Sequence, residues 1–355
     1  MRHYILSIAL ASSLTALPSA AQTLSDLGQK PLSGWGIGSA QFSGITPIGS
    51  GRYALVSDKE PTDGFYVMSI AQDEQTGEIT DAKLEGFNGN PTPTLDSQGL
   101  SVRDCEGIAW FPPAGTLFIS GEGDQAILEY ALDGTPTGRR LAVPAIMGQD
   151  KIYPNYGFEA LAYSSTHHLF YTITESMLRA DGTAAGPLSP GTANLLRLQT
   201  FGDDLRPASA YAYRMDSGRK TKFGSTYVYG VSEILPLPDG RVLVLEREAN
   251  IPRGGIGSEC ICKIFETRPS EGWTIDSSTS LQQLDPNRFL VKRLLFTFTT
   301  RMNLLQQNFA NYEGMCLGRR LADGRQTILL VSDSQGGYGR GPVHLKDYIR
   351  VLVID

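Results

Sequence analysis

The same short pattern returns five times along the chain, and a repeat of this kind restricts the fold more than any single motif does. FSGIT (Phe42 to Thr46), CEGIA (Cys105 to Ala109), FEALA (Phe158 to Ala162), SEILP (Ser232 to Pro236) and YEGMC (Tyr312 to Cys316) each set a polar, mostly acidic residue ahead of an apolar run. A turn and a second apolar run follow every one of them: YALVSD, LFISGE, LFYTITE, VLVLE and ILLVSD. Short apolar runs separated by Gly, Pro and Asp turns are strand pairs rather than helices.

Residues that face each other across a hairpin are equidistant from its turn. Glu233 and Glu246 centre on Asp239 and Gly240, Glu313 and Asp333 on Asp323, Glu159 and Glu175 on His167, Glu106 and Glu122 on Ala114, and Ser43 and Asp58 between Ser50 and Gly51. All five midpoints fall on turn residues. The arithmetic therefore predicts that each pair sits side by side at the open end of its hairpin. Further strands follow most pairs: FYVMSI and ITDAKL, AILEYAL and GRRLAVP, LLRLQTF and SAYAYRM, CICKIFE and RFLVKRLLFTF. Four strands per unit predict an all-β chain folded as a β-propeller with five clear four-stranded repeats. The anchors lie between 53 residues (Glu106 to Glu159) and 80 residues (Glu233 to Glu313) apart, which leaves room for a sixth blade. The last unit ends after three strands at IRVLVID, so an N-terminal strand near Trp35 is expected to close the ring.

Composition removes some partners. With 31 Lys and Arg against 37 Asp and Glu the net charge is −6, and Arg219, Lys220 and Lys222 form the one tight basic cluster, too little for a nucleic-acid footprint. At 41% hydrophobic and 19% charged residues the chain is a globular one. Arg2 and His3 precede the apolar run Tyr4 to Ala16, and Ser19 and Ala21 suit cleavage before Gln22. Residues 1–21 read as a secretory signal peptide and 22–355 as one propeller domain, secreted or periplasmic, monomeric and without a membrane span. Cys105, Cys260, Cys262 and Cys316 allow three disulfide pairings in an oxidising compartment, or buried thiols; the spacing is not that of a structural zinc site.

Taken as an ordered set, CEGIA, FEALA, SEILP, VLVLERE, YEGM and ILLVSDS resemble the phytase-like domain family, also described by an esterase-like activity of phytase; the resemblance runs from about Gly34 to Asp355. It implies a repeated β domain rich in Glu and Asp, with phosphoesterase or phosphodiesterase action. Ser43 and Gly44 depart from the pattern, standing where the other repeats have Glu followed by a small or apolar residue.

Arranged radially, the repeats would bring Glu106, Glu159, Glu233 and Glu313, with Asp58, Glu122, Glu175, Glu246 and Asp333, to one mouth of a central channel. Two like charges roughly 4 Å apart repel by about 4 kcal/mol at an effective dielectric near 20, so such a ring needs cations or protons. Hard oxygen ligands select Ca²⁺ or Mg²⁺, and these nine residues are the candidate ligands. Glu106, Glu159, Glu313 and Arg247 are the candidate catalytic groups. Lys59, Arg103, Arg253 and Arg340, the last two in the Gly-rich loops IPRGGIG and SQGGYGRGP, are candidates for holding a small anionic substrate such as a phosphate ester. The same polar residues could instead brace the backbones of neighbouring blades.

Absences narrow the chemistry. His3 leaves with the leader, His167 and His168 fall in a hairpin turn, and only His344 remains as a catalytic imidazole. The chain carries no GxSxG, P-loop or HExxH pattern. The leading expectation is a metal-dependent hydrolase of phosphate mono- or diesters. A metal-dependent lactonase and a non-enzymatic calcium- or glycan-binding propeller are the alternatives.

Overall fold

The computed structural model describes residues 23–184, 193–219, 225–334, 339–340 and 343–355. Nearly all regular structure is strand, grouped in five sheets of four principal strands. Blade 1 is Phe42–Gly49, Arg52–Ser57, Gly64–Gln72 and Ile79–Gly89; blade 2 is Cys105–Phe111, Thr116–Gly121, Ala126–Tyr130 and Pro136–Arg140. Blade 3 is Phe158–Ser164, Leu169–Thr174, Leu195–Gly202 and Pro207–Arg214, with Thr274–Ile275 added at its edge. Blade 4 is Ser225–Pro236, Val242–Pro252, Ser258–Thr267 and Lys292–Met302. Blade 5 is Asn311–Arg320, Gln326–Asp333, Tyr348–Ile354 and, from the start of the chain, Leu24–Pro31.

The ring therefore has five blades, and the long spacings hold loops and edge strands rather than a sixth. An N-terminal strand closes it as expected, but that strand is Leu24–Pro31, pairing Leu24 with Ile354; Trp35 lies just beyond it, in the 3-10 turn Leu32–Trp35. The five first strands contact one another in cyclic order, blade 5 returning to blade 1.

The five larger apolar cores each lie between two blades. Val56 and Phe65 of blade 1 pack with Ile119 and Tyr130 of blade 2; Phe111 and Phe118 of blade 2 pack with Phe158 and Phe170 of blade 3. Separate cores join blades 3 and 4, 4 and 5, and 5 and 1. The inner strands are buried on both faces, which is why they read as unbroken apolar runs. The outer strand Pro136–Arg140, by contrast, is exposed along most of its length.

All five first strands run in the same direction. The tight turns, including the DG turns where Gly240 and Gly324 take φ of +85° and +90°, therefore lie at one end of the axis. The loops joining second to third strands, and those joining one blade to the next, lie at the other end.

Candidate functional site

At the loop end, the ladder between first and second strands breaks once in every blade. The register shifts between Phe42 and Gly44, Cys105 and Ile108, Phe158 and Ala160, Val231 and Glu233, and Tyr312 and Gly314. A β-bulge leaves its extra residue unpaired and turns it away from the ladder. The bulged positions are Ser43, Glu106 (with Gly107), Glu159, Ser232 and Glu313. On the second strands, the residue one step nearer the mouth than the last pair before the bulge is Asp58, Glu122, Glu175, Arg247 and Asp333.

Blade 4 thus corrects the sequence reading. Its bulge falls at Ser232, and Glu246 pairs with Val231, so Glu233 and Glu246 both lie one residue out of step with the other acids. A slip of one residue turns a strand side chain to the opposite face. Glu246 accordingly points between blades and accepts hydrogen bonds from the Tyr213 hydroxyl (2.6 Å) and the Asp216 amide (3.2 Å), with Lys292 beside it. Glu233 occupies the position that Gly44, Ala160 and Gly314 hold in their blades. Its carboxyl receives the Ile234 amide at 3.0 Å and the amides of Leu161 and Met315, which tie three blades together. Burial pushes the Glu233 pKa well above the ordinary range, against those three donors. It stands between the acidic mouth and an apolar cavity of about 280 Å³ at the turn end, lined by Ile45, Trp110, Leu161, Tyr163 and Met315 among others. What blade 4 does bring to the mouth is Arg247.

Seven of the nine predicted carboxyl groups converge: Asp58, Glu106, Glu122, Glu159, Glu175, Glu313 and Asp333. Glu106 feels Glu159, Asp58, Glu313 and Glu122, and Glu313 feels Asp333, Asp58 and Glu175, so charges from blades 1, 2, 3 and 5 share one space. Arg247, buried, donates to Glu175 through one Nη and to Glu313 through the other; Asn311 Nδ2 adds a bond to Glu313 at 2.7 Å. Glu122 accepts the Gly157 amide at 2.7 Å. Glu106 and Glu159 are only 7% and 8% exposed, yet no described residue donates a hydrogen bond to either carboxyl group. Burial first, and then the neighbouring carboxylates, raise both pKa values well above normal, and burial takes Glu122 to about 7.

One subset lies close enough to share an ion. Carboxylate oxygens of Asp58, Asp104 and Glu106 all lie within 4.8 Å of one another. Oxygens on opposite sides of a Ca²⁺ ion, at roughly 2.3–2.6 Å each, would be separated by about that distance. Asp58 Oδ1, Ser43 Oγ, Ser232 Oγ and Asn311 Oδ1 are buried without hydrogen-bond partners among the described residues, which leaves their lone pairs available to a cation or its waters. The donor set is all oxygen, which fits Ca²⁺ or Mg²⁺ and not a soft metal. The Lys59 ammonium sits against Asp58 and lies 3.3 Å from Asp104 Oδ1. Sequence reasoning missed Asp104, Ser232 and Asn311. Asp104 was in view, two residues before Glu106, but only the neighbouring blade brings it against Asp58.

The other predicted cations are elsewhere. Arg103 is buried inside blade 2, paired with Asp124 and donating to the Ile119 carbonyl at 2.9 Å. Arg253 is exposed in the turn after Pro252, and the side chains of Arg340 and His344 lie outside the described residues, as does the predicted leader. The cysteines are four free, buried thiols, Cys260 and Cys262 with sulfurs 3.9 Å apart.

The raised pKa values have a consequence for stability. Folding lifts the carboxyl pKa values above their unfolded values near 4, so this contribution is complete below that value and is lost as pH climbs through the folded values. In chelator, the melting temperature is expected to fall between pH 5.5 and 8, and added Ca²⁺ is expected to flatten the fall. A melting temperature that is constant or rises across that window in chelator would contradict the buried, unneutralised ring.

No curated protein matches the sequence. Among solved structures the chain is similar to a GH43 β-xylosidase/α-arabinofuranosidase from a compost microbial metagenome, at 11% identity and a TM-score of 0.45, covering 92% of this chain and 94% of that one. An endo-arabinase from Bacteroides thetaiotaomicron gives 13% identity and a TM-score of 0.44, covering 90% and 95%. A streptogramin B lyase gives 13% identity and a TM-score of 0.35, covering 94% and 98%. Among the described residues no helix is long and apolar enough to cross a membrane. The phytase-like family, described as "esterase-like activity of phytase", matches residues 37–335, across all five bulged blades, and the chain belongs to that family.

Proposed function

We propose that this chain is an exported hydrolase of phosphate mono- or diesters that works with a divalent cation, Ca²⁺ or Mg²⁺, at the carboxylate mouth. The observation that carries this reading is a charge imbalance: seven ring carboxyl groups and Asp104 converge, and Lys59 and Arg247 are the cations that the described residues set against them. When bound, the ion would supply Lewis acidity toward the phosphoryl oxygen and a water of lowered pKa. Asp58, Asp104 and Glu106 would hold it. Arg247 keeps Glu175 and Glu313 fixed, so these two carboxylates cannot swing toward the ion. Glu159, with its raised pKa and no described donor, is suited to keep a proton near neutral pH and to deliver it to a leaving alkoxide. The described cations near the mouth are already paired, so recognition of an anion falls to the ion. Export rests on the apolar run Tyr4 to Ala16 and the small residues Ser19 and Ala21.

Purified protein supplied with Ca²⁺ or Mg²⁺ is expected to cleave p-nitrophenyl phosphate or its bis-ester, to lose turnover in chelator and to regain it on re-addition of the ion. Glu106→Gln is expected to lower kcat/KM about 100-fold while leaving the fold intact by circular dichroism. Lactone opening without phosphoester cleavage would favour a lactonase instead. A stability gain from Ca²⁺ with no turnover on any of these compounds would leave a calcium-binding propeller.

A further inference from the structure

Lys59 is the second residue beyond the second strand of blade 1, directly after Asp58. Its Nζ contacts Asp58 Oδ2, lies 3.3 Å from Asp104 Oδ1, and is close enough to Glu106 for that charge to act on it. These are the same three carboxylates whose oxygens fall within 4.8 Å of one another. One ammonium among three carboxylates is an incomplete neutralisation. Asp58 Oδ1 remains buried and unpartnered, and the 7%-exposed Glu106 carboxyl has no hydrogen bond from any described residue.

We propose that the Lys59 ammonium is a tethered stand-in for the divalent cation, occupying its place between Asp58, Asp104 and Glu106 and swinging out when the ion binds. The proposal rests on the metal reading above and adds to it a position and a competitor. A monovalent ammonium and a divalent ion attract the same oxygens, and both cannot lie within contact distance of Asp58 and Asp104 without repelling each other. The side chain is free to leave: it is 48% exposed, whereas Asp58 and Asp104 are 12% and 33% exposed, so the carboxylates stay while the flexible stem moves. Binding is then an exchange, and the apparent ion affinity is reduced by the work of displacing the lysine. The arrangement keeps the mouth partly neutralised, and folded, before the ion arrives.

The test is calorimetric titration of the mature chain with CaCl₂ and MgCl₂, run on wild type, Lys59→Met and Lys59→Arg, with melting curves in chelator alongside. Lys59→Met is expected to bind the ion at least tenfold more tightly than wild type and to melt lower in chelator, and its gain in melting temperature on adding the ion is expected to exceed that of wild type. Lys59→Arg, which keeps a tethered cation, is expected to stay within about threefold of wild type. Asp104→Asn is expected to weaken binding at least tenfold in the wild-type and Lys59→Met backgrounds alike. Equal or weaker affinity in Lys59→Met, with wild type binding normally, would overturn the stand-in role and leave the metal reading in place. Unchanged affinity in Asp104→Asn would overturn the position. Absence of binding in every variant would overturn both readings. Should Lys59→Met fold only with the ion present, a competition titration against a calcium-chelating dye gives the same comparison.

Discussion

Replacing Arg247 with Met is expected to destabilise the protein by about 3–5 kcal/mol at neutral pH, the range for removing one partner of a buried ion pair. The guanidinium is buried and held by Glu175 of blade 3 and Glu313 of blade 5. Without it, two carboxyl groups from different blades face each other with no counter-charge, and each must take up a proton or expose itself to water. Burial already raises both pKa values, and the loss of Arg247 removes the charge that lowers them. The sign of the pH dependence follows. Groups whose folded pKa is raised contribute fully below the unfolded value near 4.5 and lose that contribution as pH rises, so the deficit of the variant should be smaller at pH 5 than at pH 8. Urea unfolding at the two pH values measures it. A deficit below 1 kcal/mol at pH 8, or one that grows toward pH 5, would show that Arg247 does not hold the ring together. The companion variant Arg247→Met/Glu313→Gln should recover part of the loss, because one uncompensated charge leaves with the arginine.

The second large effect concerns the closeness of the first strands around the axis. Gly107→Ala is expected to cost about 3 kcal/mol or more, the upper end for overpacking a well-filled interior. A Cβ on Gly107 would stand 2.6 Å from the Glu159 carbonyl oxygen and 2.8 Å from the Leu161 amide nitrogen. Both are backbone atoms of the neighbouring blade, so no side chain can rotate out of the way. Relief requires blades 2 and 3 to part, and with them the carboxylates that share the mouth. Gly86→Ala, in the outer strand of blade 1 where an added Cβ would meet nothing within 4 Å, is the control and should stay within about 0.5 kcal/mol of wild type. Equal effects at the two sites would mean that the axial packing is looser than these distances show.

Much of this protein was legible in its sequence, because propeller repeats are local. The paired runs from YALVSD to ILLVSD, the third and fourth strands behind them, and the acids Glu106, Glu159 and Glu313 all follow from alternation, turn chemistry and chain order. Blade 4 was misread for a physical reason. Counting outward from the Asp239–Gly240 turn assumes an unbroken ladder, and a bulge adds one residue on one strand only, so the count could not place Glu233, Glu246 or Arg247 on the correct face. The motif SEILP looked like its relatives, yet the bulge falls on its serine.

What the sequence by itself determined is the four-stranded repeat, the closure of the ring by a strand from the start of the chain, and the supply of carboxylates at one end of each hairpin. Only the tertiary structure decided which of them meet. Asp104 faces Asp58 and Lys59 across a blade boundary, and Arg247 spans from blade 3 to blade 5. Such contacts depend on the angle and register at which separate sheets pack, and those are set by residues distant in sequence, such as Gly107 against the backbone of Glu159 and Leu161.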